Sequence, residues 1–203
     1  MTPATRAPAA PTRKRILEVA ENLILSRGYP STTIDEICDT AGVSKGSFYH
    51  YFDSKEHLGL AVLEAYYARG IARLMDGPFR EEREPVRRCL ALLDHAEAIA
   101  EEVWADGCVL GSFAVDLADS SPRIHRAVST RLSTLAQELA PVFREALERA
   151  PRRAAAPSAE ALAEQFLAVV EGAIVLSKAH GDAGRIPAGI RTFRRLLELW
   201  LGR

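Results

Sequence analysis

The sequence predicts an all-α protein with a small N-terminal three-helix unit, a connecting helix and a C-terminal bundle of about five helices. Apolar residues recur at steps of three and four along almost every segment, as one face of an α-helix requires. The alternating pattern of a half-buried strand is missing. Glycine and proline residues separate the apolar segments and mark the helix ends.

With 26 basic and 27 acidic residues, the chain has a formal net charge of -1. This near balance gives no global electrostatic indication of a nucleic-acid partner, so such a function has to rest on local geometry. The hydrophobic content of 48% is sufficient for packed cores. No apolar run approaches the roughly 20 residues of a membrane-spanning helix, and the N-terminus lacks a signal-peptide pattern. We therefore expect a cytoplasmic protein without a membrane partner.

Catalytic and metal-binding patterns are missing from the sequence. The three cysteines, Cys38, Cys89 and Cys108, are far apart and include no C-x-x-C pair, so we interpret them as reduced thiols. The histidines have no ligand spacing, and no G-x-S-x-G, Walker or G-x-G-x-x-G string occurs. We expect no cofactor, no metal and no enzymatic activity.

The N-terminal elements are well delimited. Residues 1–11 are rich in alanine and proline and predict a disordered arm. The first helix opens on the basic run 13–15 and ends at Gly28. Thr33 and Glu36 have the spacing of a capping box, in which each side chain accepts a hydrogen bond from the backbone N–H of the other. This pair predicts the start of a second helix.

A tight turn at 41–43, which contains a glycine, separates the second helix from a third helix that Ser44 caps. Asp53 with Glu56 is expected to cap a fourth helix, which the breaker at 76–78 ends. Apolar repeats, caps and breakers predict five later helices, at residues 85–104, 107–118, 122–150, 158–180 and 188–201. An exposed connection is expected at 151–157.

Residues 33–52 fit the helix-turn-helix arrangement, which places its second helix in the major groove of DNA. On a helical wheel Phe48 and Phe52 share one face, which we expect to pack against the first two helices. The opposite, exposed side of this helix comprises Lys45, Gly46, Ser47, Tyr49 and His50. A glycine within a helix costs roughly 1 kcal/mol relative to alanine. Close approach of the helix to DNA explains Gly46, and a neutral weak spot in a short helix is the alternative.

The string from Thr32 to Leu58, T-T-I-D-E-I-C-D-T-A-G-V-S-K-G-S-F-Y-H-Y-F-D-S-K-E-H-L, resembles the DNA-binding motif of the TetR family of bacterial transcriptional regulators. The resemblance implies a helix-turn-helix DNA-binding domain at residues 12–58 and a ligand-binding and dimerisation domain at 59–203. It also implies a function, that of a homodimeric repressor which binds palindromic double-stranded operator DNA and is released by a small-molecule effector.

By the same resemblance, nine residues are expected at the DNA, namely Thr33, Ser44, Lys45, Gly46, Ser47, Tyr49, His50, Tyr51 and Lys55. Thr33, Tyr51 and Lys55 are expected at phosphates, and Lys45, Ser47, Tyr49 and His50 at base edges or backbone. The residue types agree, since helix N-termini and lysine favour phosphate, and histidine, serine and lysine can donate to base edges. Cys38 departs from the small residue, usually alanine, of the family motif. We interpret it as a core residue, with a reactive thiol as the alternative.

The last two helices each carry one apolar face, and the resemblance implies that they pair with their copies as a four-helix dimer interface. The residues predicted in or beneath that interface are Phe166, Val169, Val170, Ala173, Phe193, Leu197 and Trp200. The alternative is that both helices form only the core of one protomer.

The segment 106–111, D-G-C-V-L-G, is similar to a helix start that lines the effector cavity of several TetR-like regulators. The predicted pocket residues, for which ordinary core is the alternative, are Trp104, Cys108, Val109, Phe113 and Leu117. Cys108 lies at a predicted helix N-terminus, which favours a thiolate, and Lys178 is a candidate to stabilise that thiolate. The second functional hypothesis is therefore a redox or electrophile switch that acts through Cys108. A buried structural cysteine is the competing interpretation.

Overall fold

A computed structural model describes residues 9–151 and 157–203 of the chain. These residues form nine α-helices, one short 3₁₀ helix at Pro78–Arg80 and no strand, which confirms the all-α prediction. No helix among them is both long and apolar enough to cross a membrane. The α-helices are, in chain order, α1 (Ala9–Arg27), α2 (Ile34–Ala41), α3 (Lys45–Tyr51), α4 (Lys55–Met75), α5 (Pro85–Trp104), α6 (Val109–Asp116), α7 (Pro122–Leu147), α8 (Ala159–His180) and α9 (Arg185–Leu201).

Helix α1 begins earlier than the sequence pattern indicated. It starts at Ala9, so the last three residues of the predicted disordered arm are helical, and the remainder of the arm lies outside the described residues. Of the connection predicted at 151–157, residues 152–156 lie outside them as well.

The chain packs as two compact units. The N-terminal unit contains the residues up to Ala68 together with Val109–Ser129, and the C-terminal unit contains Arg69–Cys108 with Thr130–Arg203. Helix α6 therefore belongs to the same packing unit as the helix-turn-helix. The functional division after residue 58 stays a prediction.

Local capping interactions delimit the helix-turn-helix. The Thr33 side chain accepts a hydrogen bond of 3.2 Å from the Glu36 backbone N–H, as predicted, whereas the Glu36 carboxylate is hydrogen-bonded to the Arg27 guanidinium. Gly42 ends α2 in the left-handed region, with φ of 62°. A side chain is strained in that conformation, which explains the glycine in the turn.

Ser54, and not Asp53, provides the side-chain cap at the start of α4. Its Oγ accepts a hydrogen bond of 3.0 Å from the His57 backbone N–H, while the Asp53 backbone N–H donates to His57 Nδ1 at 3.3 Å. The prediction was wrong by one residue because a cap must directly precede the first helical residue, which is Lys55.

The loop that follows α1 is held by residues of α4 and α6 within the N-terminal unit. The Tyr29 backbone N–H donates to Asp116 Oδ2 at 3.1 Å, and the Tyr29 ring meets Phe113 edge to face with centroids 5.3 Å apart. The Lys55 ammonium lies 4.4 Å from the centroid of the same ring. Three residues on two helices therefore fix the position of one tyrosine.

The C-terminal unit is built around α5, α8 and α9. An aromatic cluster occupies its interior, with the Phe193 centroid 5.7 Å from Phe166 and 6.2 Å from Phe143. Two ion pairs join α9 to α5, from Arg191 to Glu97 at 2.7 Å and from Arg194 to Asp94 at 2.6 Å. Burial of the apolar faces supplies most of the stability, because such partly exposed pairs contribute at most about 1 kcal/mol each.

Two glycines of α4 provide a matched test of the packing around Tyr29. A Cβ at Gly59 would lie 2.9 Å from Tyr29 Cε2 and 3.1 Å from Ile124 Cδ1, and the Tyr29 ring is held in place by its other neighbours. Gly59→Ala should therefore lower the free energy of unfolding by about 1 to 3 kcal/mol. A Cβ at Gly70 meets no atom within 4 Å, so Gly70→Ala should raise it by about 0.5 to 1 kcal/mol.

Urea unfolding of both variants measures the difference. Equal stability of the two variants would contradict the close approach described at Gly59.

Candidate functional site

Two buried phenylalanines fix the orientation of α3. Phe48 and Phe52 are fully buried, with ring centroids 5.6 Å apart, and the Arg13 guanidinium of α1 lies 5.4 Å from the centre of the Phe52 ring. A helix of seven residues is not stable alone, so these contacts decide which way its other residues point. The predicted apolar face is confirmed.

The opposite side of α3 is open to solvent. Lys45, Gly46, Tyr49 and His50 are exposed, and 51% of Tyr49 is accessible even though its ring packs edge to face on Phe48. A cation, a phenol and an imidazole can contact DNA, and Gly46 leaves space beside them because it has no side chain. This surface, defined by these four residues, is called the recognition face below.

Ser44 and Ser47 act first on the helix itself. Ser44 Oγ accepts a hydrogen bond of 3.1 Å from the Ser47 backbone N–H and so caps α3, as predicted. Ser44 is exposed and Ser47 is half-buried. The cap fixes the first turn of the helix, where Lys45 and Gly46 lie.

Lys45 has an acidic partner that the sequence analysis did not identify. Its Nζ lies 2.7 Å from Oδ1 of Asp35, in the first turn of α2. The hydrogen bond and the charge of Asp35 raise the pKa of Lys45. The ammonium at the edge of the recognition face therefore stays charged and is paired.

The residues predicted at phosphates differ in their surroundings. Thr33 is exposed, and Tyr51 is half-buried with its ring 4.8 Å from that of His50. Lys55 is half-buried, and its ammonium donates to the Pro30 carbonyl oxygen at 3.3 Å. Burial lowers the pKa of Lys55. The phosphate roles stay predictions, and Lys55 has an internal role in addition.

Tyr29 lies against Lys55, and the sequence analysis did not identify this neighbour. Burial, and then the nearby Glu56 carboxylate, raise its pKa to about 12, so the phenol stays neutral. No local pattern identifies it, because its partners Lys55 and Phe113 are distant in sequence.

Cys38 is a core residue, as its sequence context indicated. Only 3% of its surface is accessible. Burial, reinforced by Asp35 and Asp39, raises the pKa of the Cys38 thiol. Both observations disfavour the reactive alternative.

The residues predicted to line an effector pocket are divided between the two packing units. Val109, Phe113 and Leu117 are buried in the N-terminal unit, where Phe113 contacts Tyr29, while Trp104 and Cys108 belong to the C-terminal unit. Trp104 is half-buried and Cys108 is 8% accessible. The pocket stays a prediction.

Glu171 of α8 is the neighbour of Cys108 that the sequence analysis did not foresee. Burial raises the pKa of its carboxyl group, and a hydrogen bond with the Cys108 side chain opposes that shift. A carboxylate accepts a hydrogen bond from a thiol but repels a thiolate. The neighbour observed for Cys108 is therefore an acidic group, whereas a reactive thiol is typically activated by a cation.

Helices α8 and α9 enclose a surface groove of about 680 Å³. Five of the predicted interface residues line it, namely Val169, Ala173, Phe193, Leu197 and Trp200. Phe166 and Val170 do not line the groove and are buried within the protomer, at 1% and 5% accessibility, and the groove residues Ala173, Phe193 and Leu197 are largely buried as well. The exposed apolar side chains of the groove include Leu176 and Leu196, at 51% and 56%, which the sequence analysis had not selected.

Comparison with known families matches both parts of the chain. Residues 16–62 match the family model for bacterial regulatory proteins of the tetR family. Residues 85–193 match the model for the tetracyclin repressor-like C-terminal domain. Together these ranges contain α2, α3, α5, α6, α7 and α8.

Individual relatives agree over most of the chain. The transcriptional regulator AcuR of Cereibacter sphaeroides is 34% identical over 85% of this chain and 78% of its own. The transcriptional repressor DhaR of a Mycobacterium species is 30% identical over 83% of each chain. The crystal structure of a TetR regulatory protein from Rhodobacter sphaeroides superposes with a TM-score of 0.77 and 29% identity, covering 91% of this chain and 97% of that one.

Gly46 provides a test of how closely the recognition face approaches DNA. A Cβ at this position would meet only Ser44 Oγ, at an ordinary distance of 3.8 Å. Gly46→Ala should therefore leave the free energy of unfolding unchanged or slightly higher. It should weaken DNA binding by at least about tenfold, or 1.4 kcal/mol, because the added methyl group would displace α3 from the major groove of the DNA.

Fluorescence anisotropy with a duplex that the wild-type protein selects from a randomised pool measures the affinity, and Gly70→Ala is the control. If Gly46→Ala binds as tightly as the control, Gly46 is only a weak position in a short helix.

Proposed function

The chain belongs to the TetR family of bacterial transcriptional regulators, and we propose that it is a homodimeric repressor of palindromic operators, released by a small molecule that binds the ligand-binding and dimerisation domain at residues 59–203. DNA-binding regulation of transcription is the function of this family and of the relatives compared above. The observation that supports the proposal most directly is the recognition face, which the burial of Phe48 and Phe52 directs outward.

In this proposal α3 enters the major groove of double-stranded DNA. Lys45, Tyr49 and His50 contact base edges, and the small surface of Gly46 allows the helix backbone to approach. The first turns of α2 and α4 lie along the phosphates, with Thr33 and Lys55 as the polar contacts. Because the formal net charge of the chain is only -1, its attraction to DNA depends on this local placement of hydrogen-bond donors.

Dimerisation uses the groove between α8 and α9. Exposed apolar side chains on both helices, such as Leu176 and Leu196, would be covered by the same surface of a second copy. A symmetric dimer presents two recognition faces, and successive major-groove half-sites lie about 34 Å apart. The interface is therefore required for binding to both half-sites.

Release by an effector requires two conformations of the dimer that differ in the separation of the recognition faces. The ligand has to bind the conformation that does not fit the operator more tightly than the one that does. A reversible ligand fits the surroundings of Cys108 better than a thiol switch, because the thiol is buried and hydrogen-bonded to Glu171. Regulation of this kind requires no chemical conversion of the ligand.

Two alanine variants test the recognition face. Tyr49→Ala and His50→Ala should each weaken binding to the selected duplex by about 1 to 3 kcal/mol, because each removes a contact to DNA from an exposed position. Their thermal unfolding should match the wild type. His180→Ala, which changes an exposed histidine at the end of α8, is the control.

Wild-type affinity in both Tyr49→Ala and His50→Ala would exclude α3 as the DNA-reading helix. A loss of stability in either variant would instead indicate a structural contribution, which melting curves of the same samples detect.

Two glycine variants test the dimer surface. A Cβ at Gly172 meets no atom within 4 Å of its own protomer, and Gly172 lines the groove between α8 and α9. Gly172→Leu should therefore leave the protomer folded while blocking approach of a second copy. Light scattering should then report the 22.2 kDa protomer, and affinity for the selected duplex should fall.

Gly70→Leu is the control, since a Cβ at Gly70 also has open space around it, and Gly70 lies on α4 and does not line this groove. A dimer that persists in Gly172→Leu as in Gly70→Leu would place the interface elsewhere.

A further inference from the structure

The ion pair between Asp35 and Lys45 joins the first turns of the two helices of the helix-turn-helix. Asp35 follows the Thr33 cap of α2, and Lys45 follows the Ser44 cap of α3. The Lys45 Nζ atom lies 2.7 Å from Asp35 Oδ1, and the two side chains are 62% and 64% exposed. The pair therefore lies on the surface that the proposed function turns toward DNA.

Helix dipoles explain why the two residues pair. The N-terminus of a helix carries a partial positive charge, which stabilises Asp35 in the first turn of α2 and disfavours Lys45 in the first turn of α3. The Asp35 carboxylate offsets the unfavourable position of the lysine. Exposed pairs of this kind contribute at most about 1 kcal/mol to stability, so the fold gains little from it.

The pair has a larger effect on how Lys45 interacts with DNA. An unpaired lysine binds any phosphate, which increases affinity for every sequence alike. A lysine whose charge is offset attracts phosphates less but keeps two further N–H donors, because an ammonium group has three and Asp35 accepts one. Those two donors remain free for acceptors on base edges.

We propose that Asp35 determines DNA specificity by positioning the Lys45 ammonium for base edges and by reducing its attraction to phosphates. This inference rests on the proposed entry of α3 into the major groove. Asp35 acts through Lys45, so it is a positioning residue and its effect is on the ratio of specific to non-specific affinity.

Asp35→Asn tests the proposal, with affinities measured over a range of salt concentrations. Binding to an unrelated duplex should tighten several-fold, and its salt dependence should steepen by about one unit as one more phosphate contact forms. Affinity for the selected duplex should change less, so the ratio of the two affinities should fall by at least about threefold. Asp35→Glu, which retains a carboxylate, should keep most of the wild-type ratio.

Glu36→Gln is the matched control. It removes the same charge from the same turn of α2, but the Glu36 carboxylate pairs with Arg27 and not with Lys45. An equal fall of the affinity ratio in Glu36→Gln and Asp35→Asn would show a general effect of charge and would overturn the proposal.

A double-mutant cycle with Lys45→Met separates action through Lys45 from every other effect of Asp35. Asp35→Asn should leave the affinity ratio unchanged in the Lys45→Met background. A fall of the same size in both backgrounds, or an unchanged ratio in the single Asp35→Asn variant, would overturn the proposal.

The outcome also distinguishes this inference from the proposed function. If the wild-type protein selects no duplex, or if His50→Ala and Tyr49→Ala bind normally, the proposed function fails. If the wild type discriminates between the two duplexes and Asp35→Asn discriminates equally well, only the role of Asp35 fails.

Discussion

The recognition face depends on the burial of Phe48 and Phe52. Helix α3 has seven residues, fewer than an isolated helix requires, so its existence and its orientation both depend on tertiary contacts. The left-handed Gly42 and the Ser44 cap set where the helix starts, and the two rings set its rotation about its own axis. The exposed donors of the recognition face take their direction from that burial.

Local chemistry explains why the helix-turn-helix could be predicted from the sequence. A cap such as Thr33 or Ser44 acts within three residues, and a helical wheel separates buried from exposed positions. Lys55 shows where this reasoning ends. Its ammonium lies over Tyr29 and against the Pro30 carbonyl, and no pattern around Lys55 indicates those partners. The pairing of Asp35 with Lys45 was missed for the same reason.

In the C-terminal unit the sequence could not separate the core of a protomer from an interface between protomers. Both are apolar, so the two stripes that contain Phe166 and Phe193 had two interpretations, and the structure places both rings in one aromatic cluster. The hydrogen bond between Cys108 and Glu171 is likewise a tertiary contact. A helix N-terminus suggested a reactive cysteine, and the acidic neighbour of Cys108 could not be foreseen from the residues around it.

The hydrogen bond from the Tyr29 amide to Asp116 has a consequence for local unfolding. That amide can exchange its proton with solvent only when the bond to α6 opens, so the loop between α1 and α2 and the helix α6 share one opening reaction. Phe113 strengthens this coupling through its contact with the Tyr29 ring. A ligand that displaces α6 would thereby loosen the loop that leads into α2, and amide exchange at Tyr29 would report it without any DNA present.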